Sequence, residues 1–208
     1  MARKPYTGGP LNKLNGKAGI SAPYRSVPVS KLVRKHNPKS AAELEKLIEE
    51  HVGGGCSCGV ISQGTIQDFG KNLYEAQKEY WGEYKFTLDE CIQWEYDLFI
   101  LQMLKGTRME DKCKEELTSK LGKDYSVKDT SNFIDEELRV DLEVYRGEKL
   151  IAGIQVKPES FNKVRSSVQL FNKNANEQYG YPVLYADYNY EKEKFLELDE
   201  ITTEIRKL

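Results

Sequence analysis

The chain has 208 residues, 39% of them hydrophobic and 31% charged, which is enough apolar material for one domain and leaves no apolar run able to span a bilayer. Its first residues carry charge with no apolar stretch behind them and its four cysteines are unevenly spread, so the expectation is a cytoplasmic protein without membrane anchor or disulfide framework. The net charge of -2 conceals an asymmetry, because residues 1–42 hold nine Lys or Arg and no carboxylate, leaving 22 basic against 33 acidic residues in the remainder.

In chain order, residues 1–40 read as a basic N-terminal arm, with glycines and prolines throughout and Tyr6 and Tyr24 among the charges. Such an arm suits a polyanion, with Arg25, Lys31, Arg34 and Lys35 as phosphate contacts, although a solubilising or self-docking arm has the same composition. Residues 41–208 read as a single domain with a helical part, 41–122, and a sheet part, 123–208. Ser40-Ala-Ala-Glu43 has capping-box spacing ahead of Leu44, Leu47 and Ile48, and Thr65 to Asp68 repeats the pattern ahead of Ile66, Phe69, Leu73, Ala76 and Tyr80. Thr87-Leu-Asp-Glu90 opens a third helix on Leu88, Ile92, Tyr96, Phe99 and Met103, running to Gly106. A shorter helix on Met109, Cys113, Leu117 and Leu121 stops at Gly122.

Between the first two helices, Gly53-Gly-Gly55 through Gly59 lacks the lysine of a phosphate loop and reads as a flexible loop able to close over a ligand. Cys56-Ser-Cys58 invites zinc, with His36, His51, Cys91 or Cys113 as partners. Structural zinc sites, however, usually show C-x₂₋₄-C spacing twice, and Cys91 and Cys113 are explained as apolar helix positions.

The period then changes to two. Leu138, Val140, Leu142 and Val144 alternate with polar residues, and after Arg146-Gly-Glu-Lys149 the residues Leu150, Ala152, Ile154 and Val156 alternate with Ile151, Gly153, Gln155 and Lys157. A helix over 161–178 follows, with Val164, Val168, Phe171 and Ala175 inward, then a strand over 183–190 and a last helix on Phe195, Leu198, Ile201 and Ile205. The fold class is α/β or α+β, a small mixed sheet flanked by helices, with a helical N-terminal half.

Asp141 and Glu143 share the polar face of one strand, Gln155 and Lys157 that of the next. If those faces coincide, carboxylates, an amide oxygen and an ammonium group converge, a set suited to a hard cation and a phosphodiester. Pairing Asp141 with Gln155 requires an odd connecting loop or a bulge. A solvated amphipathic hairpin is the plain alternative.

Arg139-Val-Asp141, a hairpin, then Gly153-Ile-Gln155-Val-Lys157-Pro resembles the core of the PD-(D/E)xK nuclease superfamily, to which most type II restriction endonucleases belong. From its Tyr-Thr-Gly-Gly start to that core the chain also looks somewhat like the MjaI-type restriction enzymes. The resemblance implies a restriction-endonuclease-like fold and Mg²⁺-dependent cleavage of double-stranded DNA at a palindromic, CTAG-like site. It further implies Asp141 as metal ligand, Gln155 in the second acidic position and Lys157 as the catalytic lysine. Gln155 leaves the site one charge short. Glu95, at the edge of a buried helical stripe, is the preferred compensating ligand, followed by Glu143 and Glu90.

After the core, Arg165, Gln169, Asn172 and Asn176 form a polar helical stripe able to read base edges, with Lys163 and Lys173 for phosphates, although a solvated helix face explains the same stripe. A palindromic target implies a homodimer. The rival functions are a Holliday-junction or repair nuclease on the same core and a non-catalytic nucleic-acid-binding module.

Overall fold

The computed structural model describes residues 5–22, 24–163 and 166–208, with the side chains of Asn132 and Lys163 excepted. Val164, Arg165 and the Lys163 side chain, all named above, lie outside the described part, as do Arg3 and Lys4 of the basic segment. The chain divides into two compact units, Met1–Gly106 and Thr107–Leu208, each with its own hydrophobic core.

The first unit is helical: α1 (Gly9–Ala18), α2 (Val29–His36), α3 (Ala41–Glu50), α4 (Ile66–Trp81) and α5 (Leu88–Tyr96). The segment read from sequence as a basic arm carries α1 and α2. Leu11 and Leu14 of α1, Val29, Leu32 and Val33 of α2, and Ile20 and Val27 between them are buried in this core. Their apolar spacing outweighs the basic charge, which stays on the outer face, where Lys31, Arg34 and Lys35 are exposed. The caps form as the sequence predicts. Ser40 accepts from the Glu43 amide, and Thr65 with Asp68 and Thr87 with Glu90 make reciprocal capping boxes.

Gly70 lets α4 and α5 approach closely, since a Cβ there would lie 2.6 Å from the Ile92 Cα. That approach rotates α5, burying Cys91, Trp94 and Glu95 while the expected stripe of Leu88, Ile92 and Tyr96 is half-buried. A π-helical segment, Asp97–Gln102, continues without a break into α6 (Met103–Leu121). Gly106 does not stop the helix, and Gly122, at φ +85°, does.

The second unit contains a five-stranded mixed sheet in the order β1 (Tyr125–Asp129), β2 (Leu142–Arg146), β3 (Lys149–Pro158), β4 (Val183–Asn189), β5 (Lys194–Phe195). β1, β2 and β3 form an antiparallel meander, and α8 (Ser166–Glu177) crosses over so that β4 lies parallel to β3. Met109, Cys113, Leu117 and Leu121 of α6 and Leu198, Ile201 and Ile205 of α9 (Leu198–Lys207) share a core with Leu142, Val144, Ala152, Ile154 and Val156. This arrangement is compatible with a restriction-endonuclease-like core. The expected strand start at Leu138 is instead the end of α7 (Asn132–Leu138), capped by Ser131 and closed by Arg139 in the left-handed region.

Candidate active site

The β2–β3 hairpin turns through Gly147 and Glu148 with Arg146 facing Lys149 and Tyr145 facing Leu150. An irregularity then shifts the register, so that Val144 faces Ala152, Glu143 faces Gly153 and Leu142 faces Ile154, leaving Ile151 as the extra residue. One further step in that register sets Asp141 against Gln155. Without the extra residue Asp141 would meet Ile154, so the bulge supplies the parity that the two-residue turn lacks. At Asp141 the ladder gives way to a side-chain bond. The Asp141 amide donates to the Ile154 carbonyl at 2.9 Å, and its Oδ2 accepts the Val156 amide at 2.6 Å. Val156 is the residue between Gln155 and Lys157.

Gln155 is fully buried. Its Nε2 donates to Asn172 Oδ1 at 3.0 Å, while its Oε1 has no hydrogen-bond partner among the described residues. The parallel register carries this face onto β4, where Tyr185 pairs with Gln155 and Asp187 with Lys157. Asp187 Oδ2 accepts from Asn162 at 2.7 Å, and the Lys157 ammonium lies 5.6 Å from the centre of the Phe161 ring. Asp187 is an acid beside Lys157 that motif spacing does not pick out. Its signal was the alternation of Tyr185 and Asp187 in the expected last strand, which points an acid to the same face as Lys157.

The other acids are engaged differently. Glu143 accepts from the Tyr145 hydroxyl at 2.7 Å and from the Tyr179 hydroxyl at 3.0 Å, so both its oxygens are occupied. Burial, followed by that bond, raises the Tyr179 hydroxyl far above the ordinary tyrosine range, and the bond to Glu143 raises Tyr145. Tyr179 packs over Gly153, where a Cβ would lie 2.8 Å from its ring and 2.6 Å from Val140. Glu90 serves the α5 cap. Glu95 is fully buried in the first unit, accepts from Asn15 Nδ2 at 3.2 Å, and is pushed up to about 8 by burial.

α8 presents the opposite face to the one expected. Asn172 and Asn176 are buried, Asn172 against Gln155 and Asn176 donating to the Leu138 carbonyl at 2.9 Å and accepting from the Tyr185 hydroxyl. Val168 and Phe171, expected inward, are exposed, as is Leu170, whereas Ala175 is buried. The reason is the sheet beneath. Gln155 and its neighbours make that face polar, and buried amides need partners there. Gln169 and Lys173 remain accessible and line a groove of about 570 Å³ with Phe161, Asn162, Leu170 and Tyr185. Arg25, exposed, donates to the Ala18 carbonyl at the end of α1.

A mixed sheet with a parallel crossover, carrying oxygen donors and a lysine on one face of its central strands, is compatible with the restriction-endonuclease class. The profile of the MjaI restriction endonuclease family matches residues 10–206, and the chain belongs to that family. It is therefore a site-specific deoxyribonuclease acting on DNA. No curated protein and no solved structure matches it. Among the described residues no helix is long and apolar enough to cross a membrane.

Proposed function

We propose that the protein is a type II restriction endonuclease that hydrolyses both strands of a short palindromic site, CTAG-like, leaving 5′-phosphate and 3′-hydroxyl ends, with Asp141, Gln155 and Lys157 at the reacting phosphate. The observation that carries the reading is the buried Gln155 carbonyl oxygen, which has no hydrogen-bond partner among the described residues, one strand across from Asp141. A buried oxygen of this kind is costly unless a ligand completes it.

The donor set is all oxygen and fits Mg²⁺, held by Asp141, Gln155 and one further carboxylate. When bound, that ion supplies an acidified water and neutralises charge gathering on the phosphate. Lys157 holds the attacking water in line and donates a hydrogen bond to the non-bridging oxygen. Asp141 is kept in place by the Val156 amide. For the missing charge the candidates within this unit are Glu143 and Asp187. Asp187 is preferred, because it neighbours Lys157 on the same sheet face, while both Glu143 oxygens are engaged by tyrosines.

Lys31, Arg34 and Lys35, with Arg25, supply phosphate contacts, as do Lys163 and Arg165, and Gln169 and Lys173 contact DNA along the α8 groove. Asn172 and Asn176 act by holding Gln155 and Tyr185 in place. A palindrome calls for a homodimer, and the exposed Val168 and Phe171 give α8 an apolar surface for it.

The test is digestion of plasmid DNA with Mg²⁺ and with EDTA, followed by sequencing of the ends. Discrete fragments, abolished by EDTA and lost in Lys157→Ala and Asp141→Ala while DNA binding persists, are expected. Unchanged cutting by Lys157→Ala rejects the assigned chemistry. Preference for branched over linear duplex marks a junction or repair nuclease instead.

A further inference from the structure

The glycine-rich segment after α3 reads from sequence as a flexible loop, and its fold is different. An isolated bridge joins Val52 to Ser62, the Gly53 amide donates to the Ser62 carbonyl at 3.1 Å, and the Ser62 amide donates to the His51 carbonyl at 2.9 Å. Inside that closure the Gly59 amide donates to the Cys56 carbonyl at 3.2 Å. The Cys58 amide points at the Cys56 sulfur from 3.4 Å, and the Val60 amide at the Cys58 sulfur from 3.5 Å. Backbone amides thus turn toward both sulfurs, an arrangement that favours thiolates.

Two histidines complete the group. His36 is the last residue of α2 and His51 caps the end of α3. One ligand atom from each of His36, His51, Cys56 and Cys58 lies within 4.8 Å of all the others. The His36 and His51 rings meet edge to face with centroids 5.1 Å apart, and His51 Nε2 is 3.2 Å from the Cys58 sulfur. His51 Nδ1 lies 2.6 Å from the Leu47 carbonyl, which accepts only if Nδ1 carries the proton. Nε2 of the neutral ring then presents a lone pair to the sulfurs, the tautomer that a carbonyl partner imposes on a metal-ligating histidine. A bare His51–Cys58 hydrogen bond would leave the convergence of His36 and Cys56 unexplained.

We propose that His36, His51, Cys56 and Cys58 form a structural zinc site. Zn²⁺ binds thiolate at ~2.3 Å and imidazole at ~2.0–2.1 Å in a tetrahedron, which sets ligand atoms roughly 3.3–3.8 Å apart. The observed knot needs only a small contraction to reach that spacing. Two sulfurs and two nitrogens select a softer ion than the all-oxygen set around Asp141, and four protein ligands leave no open position for substrate. Two cysteines and two histidines also serve one type of iron–sulfur cluster, but there the pairs sit on different irons, which a single knot of this size does not allow. The ion clamps the ends of α2 and α3 to the loop, three segments of the first unit that share no strand with one another. The site does not depend on the nuclease assignment.

The experiment is metal analysis of the purified full-length chain by mass spectrometry, with a colorimetric zinc indicator after the thiols are blocked with a mercurial. One zinc per chain is expected, released only on thiol modification, kept by Asp141→Ala and lost by Cys56→Ser with Cys58→Ser, which should melt at lower temperature. Should the double variant fail to fold, the wild-type chain is unfolded, stripped of metal and refolded with Co²⁺. An intense visible spectrum of tetrahedral thiolate-bound cobalt supports the site. A wild-type chain without zinc that gives no such spectrum overturns it, as does zinc that stays in the cysteine variants, or iron in place of zinc.

Discussion

Glu95 and Gly153 show how single positions are constrained. In an unfolded chain the Glu95 carboxyl titrates near its ordinary value of 4.5, and in the folded protein burial moves it to about 8. Across that window the folded state keeps a proton that the unfolded state releases. Stability is therefore fully present below about 4.5 and is lost as pH rises toward 8, at ~1.4 kcal/mol per unit. Glu95→Gln, which can still accept from Asn15, should melt above the parent at about pH 9 and close to it at about pH 5 in scanning calorimetry; a variant that melts lower at both would contradict the buried acid. Gly153 is fixed by contact, because a methyl group there meets both Val140 and Tyr179. Gly153→Ala should cost ~1–3 kcal/mol in denaturant titration, and a neutral result would mean that Tyr179 can move away.

Among the elements, capping chemistry and apolar period made α3, α4, β3, β4 and α9 legible, because their signals are local: a side-chain oxygen three residues before its amide, and a stripe facing an apolar partner. Two helices that escaped notice lack the first of these signals. α1 and α2 start after Gly8 and Pro28, without side-chain caps, and their basic residues mask the buried leucines and valines. α8 was legible as a helix but not in its orientation, since its inner face is set by Gln155 on another strand, a contact no helical period records. The His–Cys knot was visible in outline, since Cys56, Cys58, His36 and His51 were all candidates, but spacing argued against it because the ligands come from two helix ends and a loop rather than from repeated cysteine pairs. The outward apolar residues of α8 carry their own expectation. Phe171, at 58% exposure, should be part of a contact between copies, so Phe171→Asp should shift the mass measured by light scattering from dimer to monomer with the melting temperature little changed. A monomeric parent chain would remove the premise.

On the scale of the whole molecule, the division of labour is one of chemistry. The first unit carries the basic face of α2 and the soft His–Cys ligands, and the second carries the oxygen donors and the lysine. Stripping metals should therefore have two separable outcomes. Mild chelation and Mg²⁺ resupply should restore cutting, whereas loss of the thiol-bound ion should lower thermal stability whether or not Mg²⁺ is present.

The extra residue at Ile151 reaches furthest beyond its own position. It makes the hairpin a counting device, for the acid and the amide look at each other only while the tally of residues between them stays odd. Kin of this chain should lengthen or shorten that ribbon by pairs, or else trade the kink for a one-residue change in the bend. A laboratory deletion of Glu148 alone should silence cleavage in a protein that still folds, and a second deletion in the same ribbon should recover it.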